Sequence, residues 1–215
     1  MGIALVHLTE ERQIVTGRLS RAGLLRRAAA GSGALLLSGS AVSVFATAAG
    51  AATIPDSDLT YLRLLVGAEL LAADFHAQAI ASGKLRPALA ATTKQMLADE
   101  KAHYNSLSTL ITGAGQVPAT SDDINFTYPK RSFGSEASML KRASSIEALT
   151  LGAYLGAVEN IQTPQLRLPI GQIAANEAQH VSAVAVAAGN PIIGRAFAPA
   201  LQIDAVSAAL DAYES

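Results

Sequence analysis

The chain has 215 residues, of which 50% are apolar and 15% charged, with a formal net charge of −1 and no cysteine. A near-neutral chain without a basic stripe is not built for nucleic acid. Its Ala-rich composition shows no sustained alternation of β-branched and polar residues, which excludes a sheet protein and favours closely packed helices.

Residues 1–52 read as an export signal that is cleaved. Arg26–Arg27 form a twin-arginine pair behind Arg18 and Arg21, and no charged residue occurs from Ala28 to Ala52. Small residues at Ala46–Thr47–Ala48 and Ala49–Gly50–Ala51 suit a signal peptidase. The pair resembles a twin-arginine signal, from which Ala28, Ala29 and Ala30 depart. The general secretory route is the alternative to it. The uncharged run is also long enough to span a bilayer, so an uncleaved anchor is the other reading and the one expected contact with a membrane. Either way the domain is expected outside the cytoplasm: periplasm, cell envelope or extracellular. Without cysteine it carries neither a disulfide nor a lipoprotein anchor, so packing or metal must hold it.

Residues 53–215 suffice for one domain with its own core. The first helix is expected from an N-cap at Ser57 or Asp58 to Ser82, with Gly83 as its stop. Pro87 suits the first turn of a second helix that runs to about Thr112. A third is expected from near Ser135 to about Gln162. Thr163–Pro164 opens a fourth that ends before Gly189–Asn190–Pro191, and a short amphipathic helix follows from about Asp204 to Tyr213. Between the second and third helices, Ala114 to Gly134 reads as irregular and is long for a link between neighbours. It is long enough to cross the whole bundle, which makes helices 2 and 3 parallel. The expected fold is all-α: a four-helix bundle with one long crossover between helices 2 and 3, plus a short C-terminal helix.

Glu69 lies 31 residues before Glu100 of a Glu-x-x-His motif ending at His103, and Glu147 lies 30 before Glu177 of a second ending at His180. Positions three apart on a helix share a face, so each motif offers a carboxylate and an imidazole to one point. Counted from the two hairpin turns, all four glutamates fall near mid-helix and level, whereas Glu136 and Glu159 sit too near helix ends. Their helical neighbours are apolar, so the carboxylates face the core, where they repel unless neutralised. Two metal ions would balance them: Glu69 and His103 on one, Glu147 and His180 on the other, Glu100 and Glu177 bridging. Such donors favour iron or manganese, and zinc also fits.

Asp99 and Asn176, each just before a motif glutamate, are candidates to accept from the opposite motif's histidine and so hold its tautomer; the other reading is solvent-facing polar residues. Tyr154 and Tyr104 are candidates to line the site, the other reading being ordinary core tyrosines. His76 lies two turns from Glu69, about 10 Å along the axis, too far for the same ion, and reads as an ordinary core or surface histidine. Asp74 reads as solvated.

The stretches Ile146-Glu147, Ala153-Tyr154-Leu155-Gly156-Ala157 and Asn176-Glu177-Ala178-Gln179-His180, with a looser match at Ala73-Asp74-Phe75, carry a resemblance. From about Asp56 to Gly189 the chain resembles the ferritin-like superfamily, in particular its exported members, which include desiccation-related proteins. The resemblance implies two iron ions, oxygen or peroxide as partner, and oxidoreductase chemistry: Fe(II) oxidation, or consumption of peroxide or superoxide in a stress response. It also leaves room for a homo-oligomer or storage cage. The alternative is a non-catalytic stress or envelope protein whose metal site is structural or empty.

Overall fold

A computed structural model describes residues 54–215, so the expected export signal lies outside the described residues. Five helices follow in order: α1 (Asp56–Ala81), α2 (Pro87–Gly113), α3 (Glu136–Asn160), α4 (Pro164–Ala187) and α5 (Ile203–Asp211). Among the described residues extended pairing is confined to one bridge, Phe126 with Glu214.

The helix ends follow local chemistry. Pro87 and Pro164 occupy the first turns of α2 and α4, where a missing N–H costs nothing. Gly83, at φ +67°, turns the chain out of α1. Ser135 and Ser138 cap α3 reciprocally. One expectation is corrected: neither Ser57 nor Asp58 caps α1, which starts at Asp56 directly after Pro55. Asp58 is instead fully buried and accepts from the backbone N–H groups of Gln162 (2.9 Å) and Thr163 (2.8 Å). It ties the start of α1 to the α3–α4 turn. Burial alone would raise its pKa, but these N–H groups and the neighbouring hydroxyls bring it below the ordinary value.

Contacts across the bundle fix its directions. Tyr154 meets Glu69 while Glu147 meets His76, so numbers fall along α3 as they rise along α1. The two helices are antiparallel. Because α1 and α2 form a hairpin, α2 and α3 run parallel, and residues 114–134 span the bundle's length. α1 packs on α2 and α3, and α3 on α4, whereas α2 and α4 touch at few residues. Leu62, Leu65, Phe75, Leu107, Ile146 and Leu166 are among the fully buried core side chains.

Two segments cover the outer faces of α1 and α3. From the crossover, Tyr128 donates to Asp74 at 2.7 Å and stacks with Phe75 and Phe133. Asp74 is therefore half-buried and paired, which corrects its reading as solvated. The segment before α5 lies directly on α3: Leu201 N–H donates to Gly152 O at 2.8 Å, and a Cβ on Gly156 would come within 1.9 Å of Leu201 O. Only glycine admits that approach. α5 then buries Val206 and Leu210 against α1 and α3.

Candidate metal centre

Each helix of the bundle sends one glutamate inward. Glu69, Glu100, Glu147 and Glu177 are all fully buried, and His103 and His180 nearly so. The helical register that buries Leu62, Leu65 and Val66 on α1 also buries Glu69, and the same holds on the other three helices.

The six side chains meet as two groups of four. Glu69, Glu100, His103 and Glu177 bring donor atoms within 4.8 Å of one another, as do Glu100, Glu147, Glu177 and His180. Glu100 and Glu177 are common to both. The distances repeat across a pseudo-twofold axis. His103 Nδ1 lies 2.9 Å from Glu177 and 3.6 Å from Glu69; His180 Nδ1 lies 3.1 Å from Glu100 and 3.6 Å from Glu147.

These contacts are close, yet most are not hydrogen bonds. Glu69 Oε2, Glu147 Oε2, both oxygens of Glu100 and of Glu177, and Nδ1 of His103 and His180 are buried without a hydrogen-bond partner. Buried polar atoms are ordinarily satisfied. Here the donor atoms gather in two groups that share Glu100 and Glu177, and oxygen and imidazole nitrogen are the donors that divalent transition metals take. The cluster is compatible with a di-metal site.

The electrostatics agree. Burial, reinforced by Glu100 and Glu177, pushes the Glu69 carboxyl well above its ordinary pKa, although His103 pulls the other way. Burial also raises Glu177, against the pull of both histidines. Glu100 goes down, because His103 and His180 outweigh its burial. Burial would lower His103, but Glu100, Glu177 and Glu69 push it up to about 12. His180 rises for the same reason, against Glu100, Glu147 and Glu177. Raised histidine pKa values mean that a metal ion at these atoms would compete with protons.

The surrounding residues divide. Asp99 faces His180 Nε2 at 3.4 Å, reaching the opposite motif's histidine. Asn176, its counterpart, leaves its Oδ1 buried and unpartnered. Tyr154 is fully buried and donates to Glu69 from the opposite helix. Tyr104 stands apart: its hydroxyl donates to Ala119 O at 3.0 Å and anchors the crossover.

His76 is the residue that sequence reasoning missed. It is buried, with Nε2 only 2.7 Å from Glu147 Oε1 and 3.8 Å from Glu100 Oε1. The axial distance from Glu69 is right, but the antiparallel α3 brings Glu147 to meet it. The signal was a shared offset: His76 follows Glu69 by seven, and Tyr154 follows Glu147 by seven. Each lone glutamate is thus bonded by the residue two turns beyond its counterpart.

A family model described as a ferritin-like domain matches residues 57–190. The chain belongs to the ferritin-like family. The match covers all four bundle helices apart from the first residue of α1. Among curated proteins no significant match is found.

Proposed function

We propose that this ferritin-like domain is an exported di-metal oxidase that binds two iron ions and oxidises Fe(II). The observation that carries the reading is the pair of four-atom groups sharing Glu100 and Glu177. Glu69 and His103 would hold one ion and Glu147 and His180 the other, with Glu100 and Glu177 available to both. When bound, two Fe(II) ions supply two electrons, so that with two protons one O2 becomes H2O2 and two Fe(III) remain.

The residues of the chain do the rest. Tyr154 orients Glu69, His76 orients Glu147, and Asp99 holds His180. The leucines and alanines of the four helices exclude water, which strengthens each charge interaction inside. Arg26–Arg27 and the uncharged run after them support export by a twin-arginine route, and stress protection is the role such chemistry would serve outside the cytoplasm.

The test is reconstitution of the mature domain with Fe(II), Mn(II) or Zn(II), followed by elemental analysis and stopped-flow Fe(II) oxidation. Two ions per chain and oxidation well above the buffer rate are expected. No bound metal overturns the reading. Two ions that raise the melting temperature while oxidation stays at the buffer rate make the site structural. N-terminal sequencing of the exported form tests the signal, and a start near Met1 overturns cleavage.

A further inference from the structure

The two halves of the centre differ one helical turn beyond the ligands. On the His76 side the bundle is not filled: a cavity lies there in which the centre of a water-sized molecule has about 20 Å³ to move. That is room for one small molecule. Its walls include Met96, Ala143 and Val184, each four residues from Glu100, Glu147 and His180 respectively, hence about 6 Å along the helix from a ligand. His76 stands between the cavity and Glu147.

The pseudo-twofold relates three of the residues on this side to larger ones on the Glu69 side. Leu65 occupies the position related to Ala143, Ile170 that related to Thr93, and Tyr154 that related to His76. All three larger side chains are buried. At these three positions the His76 side carries the smaller or shorter side chain, while Phe75 is larger than its counterpart Ala153.

The cavity suits an apolar guest. Thr92 and Thr93 donate their hydroxyls back to Ala88 O and Leu89 O of their own helix. His76 Nε2 is committed to Glu147, which leaves Nδ1 as one unpartnered ring nitrogen. An ordered water needs two to four polar partners, whereas apolar cavities stay dry and take apolar guests. Leu89, Thr92 and Ala183 line both the cavity and an exposed groove between α2 and α4, and Thr92 is itself exposed, so the cavity lies at the surface end of that groove. The groove follows the seam where α2 and α4 touch least.

We propose that this cavity is the seat and access route of dioxygen, serving the metal position of Glu100, Glu147, Glu177 and His180. The two positions are then inequivalent: the Glu147 side receives the oxidant and the Glu69 side is closed by Tyr154. This inference rests on the oxidase reading above.

Xenon, an apolar atom that occupies such cavities, is the probe. Crystals of the metal-free protein under xenon pressure should show an atom beside His76. Ala143→Leu, which installs the side chain of the related position, should abolish that density and keep two metal ions per chain. It should also slow Fe(II) oxidation at least tenfold at low oxygen, with a raised KM for oxygen. Thr93→Ile does the same from the opposite wall if Ala143→Leu fails to fold. No xenon in the wild-type cavity overturns the inference. So does a xenon-free variant that oxidises iron at the wild-type rate with unchanged oxygen dependence, and that result leaves the oxidase reading standing. Wild-type protein that takes xenon and two ions but oxidises no iron overturns the oxidase reading, and the cavity's role falls with it.

Discussion

The α1–α2 and α3–α4 hairpins bring the same donors to the centre at nearly the same distances, yet they are finished differently. At the Glu69 half a tyrosine closes the core; at the Glu147 half a histidine stands beside a cavity. The outer face of α1 is met by a polar contact, Tyr128 on Asp74, while α3 is met by backbone at Gly152 and Gly156. The turns, by contrast, are alike. Asp58 near the start of α1 accepts from the α3–α4 turn, and Glu136 at the start of α3 accepts from Arg86 N–H at 2.7 Å in the α1–α2 turn. The symmetry therefore belongs to the ligand frame and to the acids that bind the turns, and the differences lie in what each half must seal, expose or dock.

The largest effects should come from the residues both halves share. Glu100→Ala or Glu177→Ala should lose both ions and all oxidation, whereas Glu69→Ala or Glu147→Ala should lose one ion. Elemental analysis of the four variants decides it, and retention of two ions by Glu100→Ala breaks the shared-ligand assignment. Protons compete for the same atoms. His103 has its folded pKa raised to about 12, so its stabilisation of the metal-free protein is complete below its unfolded pKa of about 6.5. That stabilisation fades as pH rises toward the folded value. Metal binding must release these protons, so affinity should rise between pH 6 and pH 8. Calorimetry in buffers of different ionisation enthalpy measures the release.

Next comes the docking of α5. Gly156→Ala places a Cβ against Leu201 O and must displace backbone, at a cost of about 3 kcal/mol. The related position on α1 is Gln78, exposed and bonded only to Asp74 one turn back. Gln78→Ala should change stability by less than about 0.5 kcal/mol. Denaturant melts of the pair test whether the tight approach belongs to one half alone.

This comparison also marks how far the sequence could be read. Helical periodicity places Glu69, Glu100, Glu147 and Glu177 on buried faces, and the hairpin turns set them level, so the cluster and the bundle with its crossover were legible. Contacts between helices were not. Asp58 looks like a helix cap because Asp near a helix start usually is one, and nothing local shows that a distant turn needs its carboxylate. His76 was placed by distance along its own helix, while its partner comes from the antiparallel neighbour. Tyr104 shares a helix turn with His103, yet its hydroxyl is drawn to the crossover, whose path no periodicity describes.

A smaller effect separates the two turn-binding acids. Asp58→Ala leaves two backbone N–H groups of a buried turn without their carboxylate and should cost about 2–3 kcal/mol. Glu136 is only half-buried, so Glu136→Ala should cost about 1 kcal/mol. The folded pKa of Asp58 is lowered, so its contribution is present above the unfolded value of about 3.9. It is lost as pH falls through the folded one. The wild-type advantage over Asp58→Ala should therefore be flat from pH 5 to 8 and shrink in acid. A difference that grows on acidification would show that the side chain is not an ionised acceptor.

A last effect tests the seal at the Glu69 half. Tyr154→Phe keeps the ring in the core and removes only the hydroxyl that donates to Glu69. In the metal-free protein that leaves a buried oxygen unpaired and should cost about 1–2 kcal/mol. In the metal-bound protein Glu69 is oriented less well, and a lost supporting hydrogen bond of this kind weakens metal affinity by about 10- to 100-fold. Only one ion should be affected, because the Tyr154 hydroxyl donates to Glu69, which belongs to one of the two groups alone. A titration in which the first ion binds as in wild type and the second weakens would show that the halves are held separately. Equal weakening of both would mean that the shared glutamates transmit the change, and the inequivalence of the two positions would be smaller than their surroundings suggest.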